Sequence, residues 1–139
     1  MPKPKNIRLS VFKGREARLN RVIFMVLDAK KLVASYDMFL EIRRIKGFRH
    51  TKYSSVDRRM KALRQQHWII WKGTRRTQPG SDSPFYELSS RGQTAIDVDE
   101  VNMNDFLKNA KEDLLLELRT VLSSFRESQH KSQKPRSRG

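Results

Sequence analysis

The stretch SSVDRRMKALRQQH at residues 54–67 decides how this chain is read. Tyr53, Val56, Met60 and Leu63 recur at spacings of three and four, the period of a helix with one apolar side. The pattern predicts a helix from about Thr51 or Lys52 to Gln66. On a wheel of about 100° per residue, Arg58 points opposite the apolar centre, and Ser54, Lys61 and Gln65 fall within about 40° of that line. Ser55 and Ala62 flank it; Arg59 and Arg64 lie on the sides. Asp57 and Lys61, four apart, are placed to pair. The outward face thus carries hydroxyls, an amide and cations, the groups that read base edges in a DNA major groove. The small Ser54-Ser55 pair stands at the helix start, where a recognition helix comes nearest the bases. A merely solvated face would show similar polarity, so the neighbouring segments must decide.

Those neighbours are basic. The 139 residues carry 30 Lys and Arg against 15 Asp and Glu, a net charge of +15. Such a balance points to a polyanion, nucleic acid before anionic membrane. Twelve Lys and Arg, with Asp57 as the one acid, lie between Arg43 and Arg76. Residues 101–139 hold eight basic and five acidic residues, so the electrostatic footprint belongs to the middle segment. Arg49 and Lys52 precede the helix there, and Lys72, Arg75 and Arg76 follow it.

After Gln66 the period changes. His67-Trp68-Ile69-Ile70-Trp71 favours a strand, Gln78 to Pro84 is a turn cluster, and Phe85-Tyr86-Glu87-Leu88 reads as the returning strand. Lys72, Arg75 and Arg76 fall on the outgoing arm, before the Pro79-Gly80 tip. A hairpin of this kind can straddle the backbone and place a cation in the minor groove, whose negative potential is concentrated; a plain surface loop is the alternative. Ser89 or Ser90 can cap a short helix through about Ile96. Upstream, Leu19, Val22, Ile23, Val26 and Leu27 share one side of a helix from Glu16 to about Leu27. A second helix starts at Ser35 as N-cap, with Asp37 favoured by the helix dipole in its first turn. Its stripe is Phe39, Ile42 and Ile45, and Gly47 ends it. The order helix, helix, short turn, helix, hairpin, helix is a helix-turn-helix with a β-wing.

SSVDRRMKALRQQHWI, a basic strand and FYELSSRGQTAI together resemble the winged helix-turn-helix regulators of the MarR/PadR superfamily. Tyr86, Leu88, Ser89 and Gly92 match that superfamily's strand-to-helix junction, a Tyr-x-Leu-Thr/Ser-x-x-Gly pattern. His67 departs from it, since glycine is common there. The resemblance covers about residues 16–98 and implies a dimeric DNA-binding protein; it carries over no effector pocket.

A last long helix is predicted over about Asn104 to Ser128. Met103, Leu107, Ala110, Leu114, Leu118, Val121 and Phe125 form its stripe, widened by Leu115 and Leu122. Pairing with a second copy would cover it, and packing on the chain's own first helix is the alternative. Leu107, Leu114, Leu118, Val121 and Phe125 are the expected dimer interface.

The fold class is therefore mainly α with a small β-wing: a winged helix-turn-helix plus a long C-terminal dimerisation helix. The expected divisions are a basic N-terminal arm at 1–15, a DNA-binding domain at 16–98, the C-terminal helix at 99–128 and a disordered basic tail at 129–139. Ile7, Leu9 and Val11 alternate in the arm, suggesting a short strand. Without cysteine, thiolate metal sites, disulfides and thiol nucleophiles are excluded. His50, His67 and His130 lack metal-like spacing; Asp97, Asp99 and Glu100 read as charges near a helix start rather than as catalysts. Trp68 and Trp71 read as core or interface residues before a base-stacking platform. No catalytic signature, cofactor motif, secretory signal or membrane-length apolar run is visible. The sequence thus predicts a cytoplasmic, nucleoid-associated transcriptional regulator that binds double-stranded DNA as a homodimer and is not an enzyme. An architectural or DNA-partition protein that coats DNA with little sequence preference is the main rival. An RNA-binding or protein-docking winged helix is the second.

Overall fold

The computed structural model describes residues 9–78 and 81–132. The chain forms two compact units, one ending at Val101 and one beginning at Asn102. In the first, a 3-10 turn at Ser10–Phe12 precedes helix α1 (Ala17–Lys30), strand β1 (Val33–Ala34), helices α2 (Ser35–Arg43) and α3 (Tyr53–Gln65), strands β2 (Ile69–Gln78) and β3 (Ser81–Leu88), and helix α4 (Ser90–Glu100). The sheet is antiparallel, in the order β1-β3-β2. Three helices followed by a two-stranded wing, with a short strand between α1 and α2 closing the sheet, is the winged-helix topology.

The core follows from the apolar stripes. Val56, Met60 and Leu63 of α3 are fully buried, as are Ile23, Phe24 and Leu27 of α1 and Met38 and Ile42 of α2. Tyr86 and Leu88 of β3, Ile69 of β2 and Ala95 of α4 close the cluster. Each large aliphatic or aromatic side chain withdrawn from water contributes about 1.5–3 kcal/mol. Among the described residues no helix is long and apolar enough to cross a membrane.

Several elements differ from the sequence expectation. Val11 and Phe12, assigned to the N-terminal arm, are buried; Phe12 packs edge-on against Phe24 at 5.2 Å, and Asn20 Nδ2 donates to the Val11 carbonyl at 2.8 Å. The local backbone is a 3-10 turn rather than a strand, and Ile7 lies outside the described residues, as do the Pro79-Gly80 tip and the tail from 133. Ser35 is the first residue of α2 rather than its N-cap, and its own side chain caps nothing. The connection between α2 and α3 runs over residues 44–52, longer than the short turn expected; Gly47, at φ 94, lies within it and not at the helix end. The wing strands extend through the region read as a turn cluster, and α4 continues past Ile96 to Glu100.

In the second unit the expected single helix is two. Helix α5 (Met103–Asn109) is capped by Asn102, whose Oδ1 accepts from the Asp105 N–H at 3.1 Å. The chain turns extended at Ala110, and helix α6 (Glu112–Ser132) begins with Glu112 and Asp113 in its first turn. Lys108 in the last turn of α5 and these two acids at the start of α6 each suit the dipole end they occupy, so the charge switch favours a break there.

Candidate nucleic-acid interface

Helix α3 sorts its side chains cleanly. Ser54, Arg58, Lys61 and Gln65, at i, i+4, i+7 and i+11, are all exposed, while Val56, Met60 and Leu63 opposite them are buried. The exposed row spans about 16 Å along the helix at 1.5 Å per residue. Ser55 is half-buried beside it. Lys61 Nζ lies 2.9 Å from Asp57 Oδ2, the expected i,i+4 pair. That carboxylate, by hydrogen bond and then by charge, holds the Lys61 ammonium above its ordinary pKa of 10.5. Arg58 forms no ion pair among the described residues, so its guanidinium is available to an outside acceptor.

Two arginines on the sides of α3 turn to neighbours. The Arg59 side chain is only 19% exposed and reaches Glu16 at 3.8 Å, which withdraws it from the outward face. The Arg64 guanidinium sits 5.2 Å from the centre of the Trp71 ring. Trp71 is itself 43% exposed, so it is not a core residue; Trp68 is half-buried, with Phe24 at 6.2 Å and the Arg91 guanidinium at 5.9 Å. A planar guanidinium stacked on indole is held in place more firmly than a free side chain.

Arg49 and Lys52 are exposed on the connection into α3. An open groove there is lined by Lys46, Gly47, Arg49, His50 and Thr51. Arg43 braces it, donating from Nε to the Arg49 carbonyl at 3.2 Å while lying 5.4 Å from the Phe39 ring centre. Lys46, His50 and Thr51 were not singled out from sequence. Their signal was the basic run itself, which does not show which members share a groove.

On the wing, Lys72 pairs with Glu87 across the strands at 3.4 Å and Arg76 with Asp82 at 3.7 Å. The Arg75 backbone pairs with Ser83; its side chain lies outside the described set. The cross-strand acids partly neutralise the arm. Gly73, at φ 143, sits at a register shift after Trp71, and a Cβ there would lie 3.0 Å from the Phe85 ring. The bend brings β2 onto that ring, which only glycine allows.

The base of the wing explains the junction residues. Tyr86 fills the core beneath α3. Ser89 Oγ accepts the Gly92 N–H at 3.0 Å as the α4 N-cap, while its hydroxyl hydrogen faces the carbonyls of His67 and Trp68 at 2.7 and 2.9 Å. A Cβ on Gly92 would lie 2.3 Å from the Trp68 carbonyl oxygen, so no side chain fits. His67 has φ 67; its N–H bonds to the Arg64 carbonyl, and the Trp68 N–H to the Leu63 carbonyl, each at 3.0 Å. This is a Schellman ending with histidine at the left-handed position that glycine favours.

Burial first, and the Asp57 charge second, raise the phenol pKa of both Tyr53 and Tyr86 above 10.0.

No protein-family model matches the sequence, and no curated protein matches it. Among solved structures, the chain is similar to Bacillus subtilis PadR in complex with operator DNA. The identity is 17% and the TM-score 0.46, over 86% of this chain and 79% of that one. It is also similar to a protein described as a candidate transcriptional regulator from Thermoplasma acidophilum, at 12% identity and a TM-score of 0.44, over 70% of this chain and all of that one. The fold assignment rests on the order of helices and strands described above.

Proposed function

We propose that the protein is a transcriptional regulator that binds double-stranded DNA as a homodimer, with α3 in the major groove and the β2–β3 hairpin as a wing on the backbone or in the minor groove. The observation that carries this reading is the exposed row Ser54, Arg58, Lys61 and Gln65 on a helix whose opposite side is wholly buried. A buried back anchors the helix, and a front of hydroxyl, guanidinium, ammonium and amide groups can read base edges. Arg49 and Lys52 before α3, and Lys72, Arg75 and Arg76 after it, would supply the phosphate contacts that set register. Arg59, drawn toward Glu16, contributes in this reading by orienting α3.

One observation favours the architectural alternative. The net charge of +15 is large for 139 residues, and charge alone supports sequence-independent binding. Selection of bound sequences from random DNA, followed by specific and non-specific affinities at one fixed salt concentration, separates the two. A regulator enriches a defined site and binds it at least about 1,000-fold more tightly than random duplex. Failure to enrich any site, with tight binding throughout, would establish the architectural role. Competition by single-stranded RNA that outdoes duplex DNA would establish the RNA-binding one.

A further inference from the structure

We propose that Ser83 is a latch that sets the angle between the wing and helix α3, and so positions the wing for DNA; the second half of this statement rests on the function proposed above. Ser83 lies in β3 directly opposite Arg75 of β2, at the level of the wing's cations. It is a serine on the part of β3 that extends past β1, yet it is only 2% exposed. Its hydroxyl oxygen accepts the Tyr36 N–H at 3.1 Å, which caps the N-terminus of α2 where α2's own residues supply no side-chain cap. The Tyr36 ring in turn lies 6.3 Å from that of Tyr53, the first residue of α3. One small side chain therefore joins the wing to α2 directly and to α3 through the Tyr36 ring.

The surroundings explain why the joint is needed. Strand β1 pairs with β3 only through Tyr86 and Phe85, so from Pro84 outward β3 has β2 alone as a neighbour. A two-stranded ribbon on its own is marginally ordered in water. The Ser83–Tyr36 bond braces this ribbon just past the point where β1 ends. Tyr36, Phe39 and Tyr53 form a triangle of rings, with centroids 5.6–6.3 Å apart, that carries the Ser83–Tyr36 link across to α3.

The chain's lack of cysteine allows a direct test. Arg58→Cys with Arg76→Cys places spin labels on α3 and on the wing, and the label–label distance distribution is measured in the free protein. The latch predicts one narrow distribution in the otherwise native chain. Ser83→Ala should broaden it. A fall in thermal stability with an unchanged width in that variant would overturn the latch and leave Ser83 a structural residue only. In unlabelled protein, affinity for a random-sequence duplex at one fixed salt concentration is the second readout. Ser83→Ala should cost on the order of fivefold, the equivalent of about one neutral hydrogen bond. Arg76→Ala should lose affinity in the native chain and clearly less in the Ser83→Ala chain, because a wing that no longer holds its angle has less contact to lose. Additive losses would overturn the positioning role. If Arg76→Ala changes no duplex affinity in the native chain, the wing lies off the DNA and the positioning half of the proposal falls, while the label distances still decide the latch.

Discussion

His67 is the residue where the sequence departs from its superfamily pattern, and the backbone gives the departure a physical meaning. A left-handed conformation costs a non-glycine residue about 1–2 kcal/mol, and histidine is exposed there with no core contact to offset it. Glycine would relieve that strain but adds about 0.4–1 kcal/mol of unfolded-state entropy. His67→Gly is therefore expected to stabilise the fold by about 0.5–1 kcal/mol, read as a higher urea midpoint at constant slope. A lower midpoint would show that the imidazole makes a contact worth more than the strain. Arg58 is the counterpart on the functional side. Arg58→Ala should cost about 1–3 kcal/mol at a selected site and alter the preferred bases, if the guanidinium binds guanine in two-pronged fashion. Equal losses on every duplex would mean that Arg58 touches phosphate only. Tyr53 and Tyr86 set an alkaline limit. Both phenols hold their protons more tightly folded than unfolded, so their contribution is full below pH 10.0 and is lost as pH rises through the higher folded values. Urea midpoints measured on either side of pH 10 should fall on the alkaline side, and Tyr53→Phe should reduce that fall.

At the scale of elements, what could be read from the sequence depended on how strictly a pattern follows its period. Helix α3 was legible almost to its ends, because Val56, Met60 and Leu63 admit one face only. The wing was legible in kind but not in length. Ser81 to Pro84 carry turn-forming residues, yet they are strand, because proline is tolerated where β3 runs as an edge beyond β1. The same misreading hid Ser83, whose role depends on Tyr36, distant in sequence. The buried Val11 and Phe12 were missed because two apolar residues in a polar segment have no period at all. The break at Ala110 was hidden for the opposite reason: the apolar spacing continues straight through it, and only Asn109 and the switch from Lys111 to Glu112 and Asp113 mark it. The junction at the wing's base supports a sharp prediction. Gly92→Ala would drive a methyl into the Trp68 carbonyl, and a loss of about 1–3 kcal/mol is expected in chemical denaturation. A neutral result would mean that α4 shifts freely on the sheet. For the wing itself, Arg75→Ala with Arg76→Ala should leave base preference nearly intact and flatten the salt dependence of duplex binding by about one to two units of slope. An unchanged slope would place the hairpin off the DNA.

Across the whole molecule, the second unit poses a problem that a single copy does not solve. Leu107 on α5 is 55% exposed, and Val121 and Phe125 on α6 are 64% and 60% exposed. Leu114 is exposed as well and Leu118 half-buried, exposed Leu122 widens the stripe, and Leu116 adds apolar surface on the other side of α6. Burying each of these side chains contributes on the order of 1.5–3 kcal/mol, so leaving the stripe in water forgoes a stabilisation comparable to that of a small domain. A second copy offers the same stripe, and two-fold pairing lets each stripe cover the other. In the proposed regulator this pairing also has a geometric duty. It must set the two recognition helices about 34–36 Å apart, one turn of duplex, so that the preferred site is an inverted repeat. Leu118→Glu would bring like charges together across the two-fold in an apolar setting. The expected outcome is a monomer that retains its helical content and binds duplex DNA far more weakly, because two linked half-sites have become one. Sedimentation of the unmutated protein at micromolar concentration is the first check. A monomer there that still binds one duplex site tightly would remove the dimer from the mechanism and require the stripe to be covered within the chain.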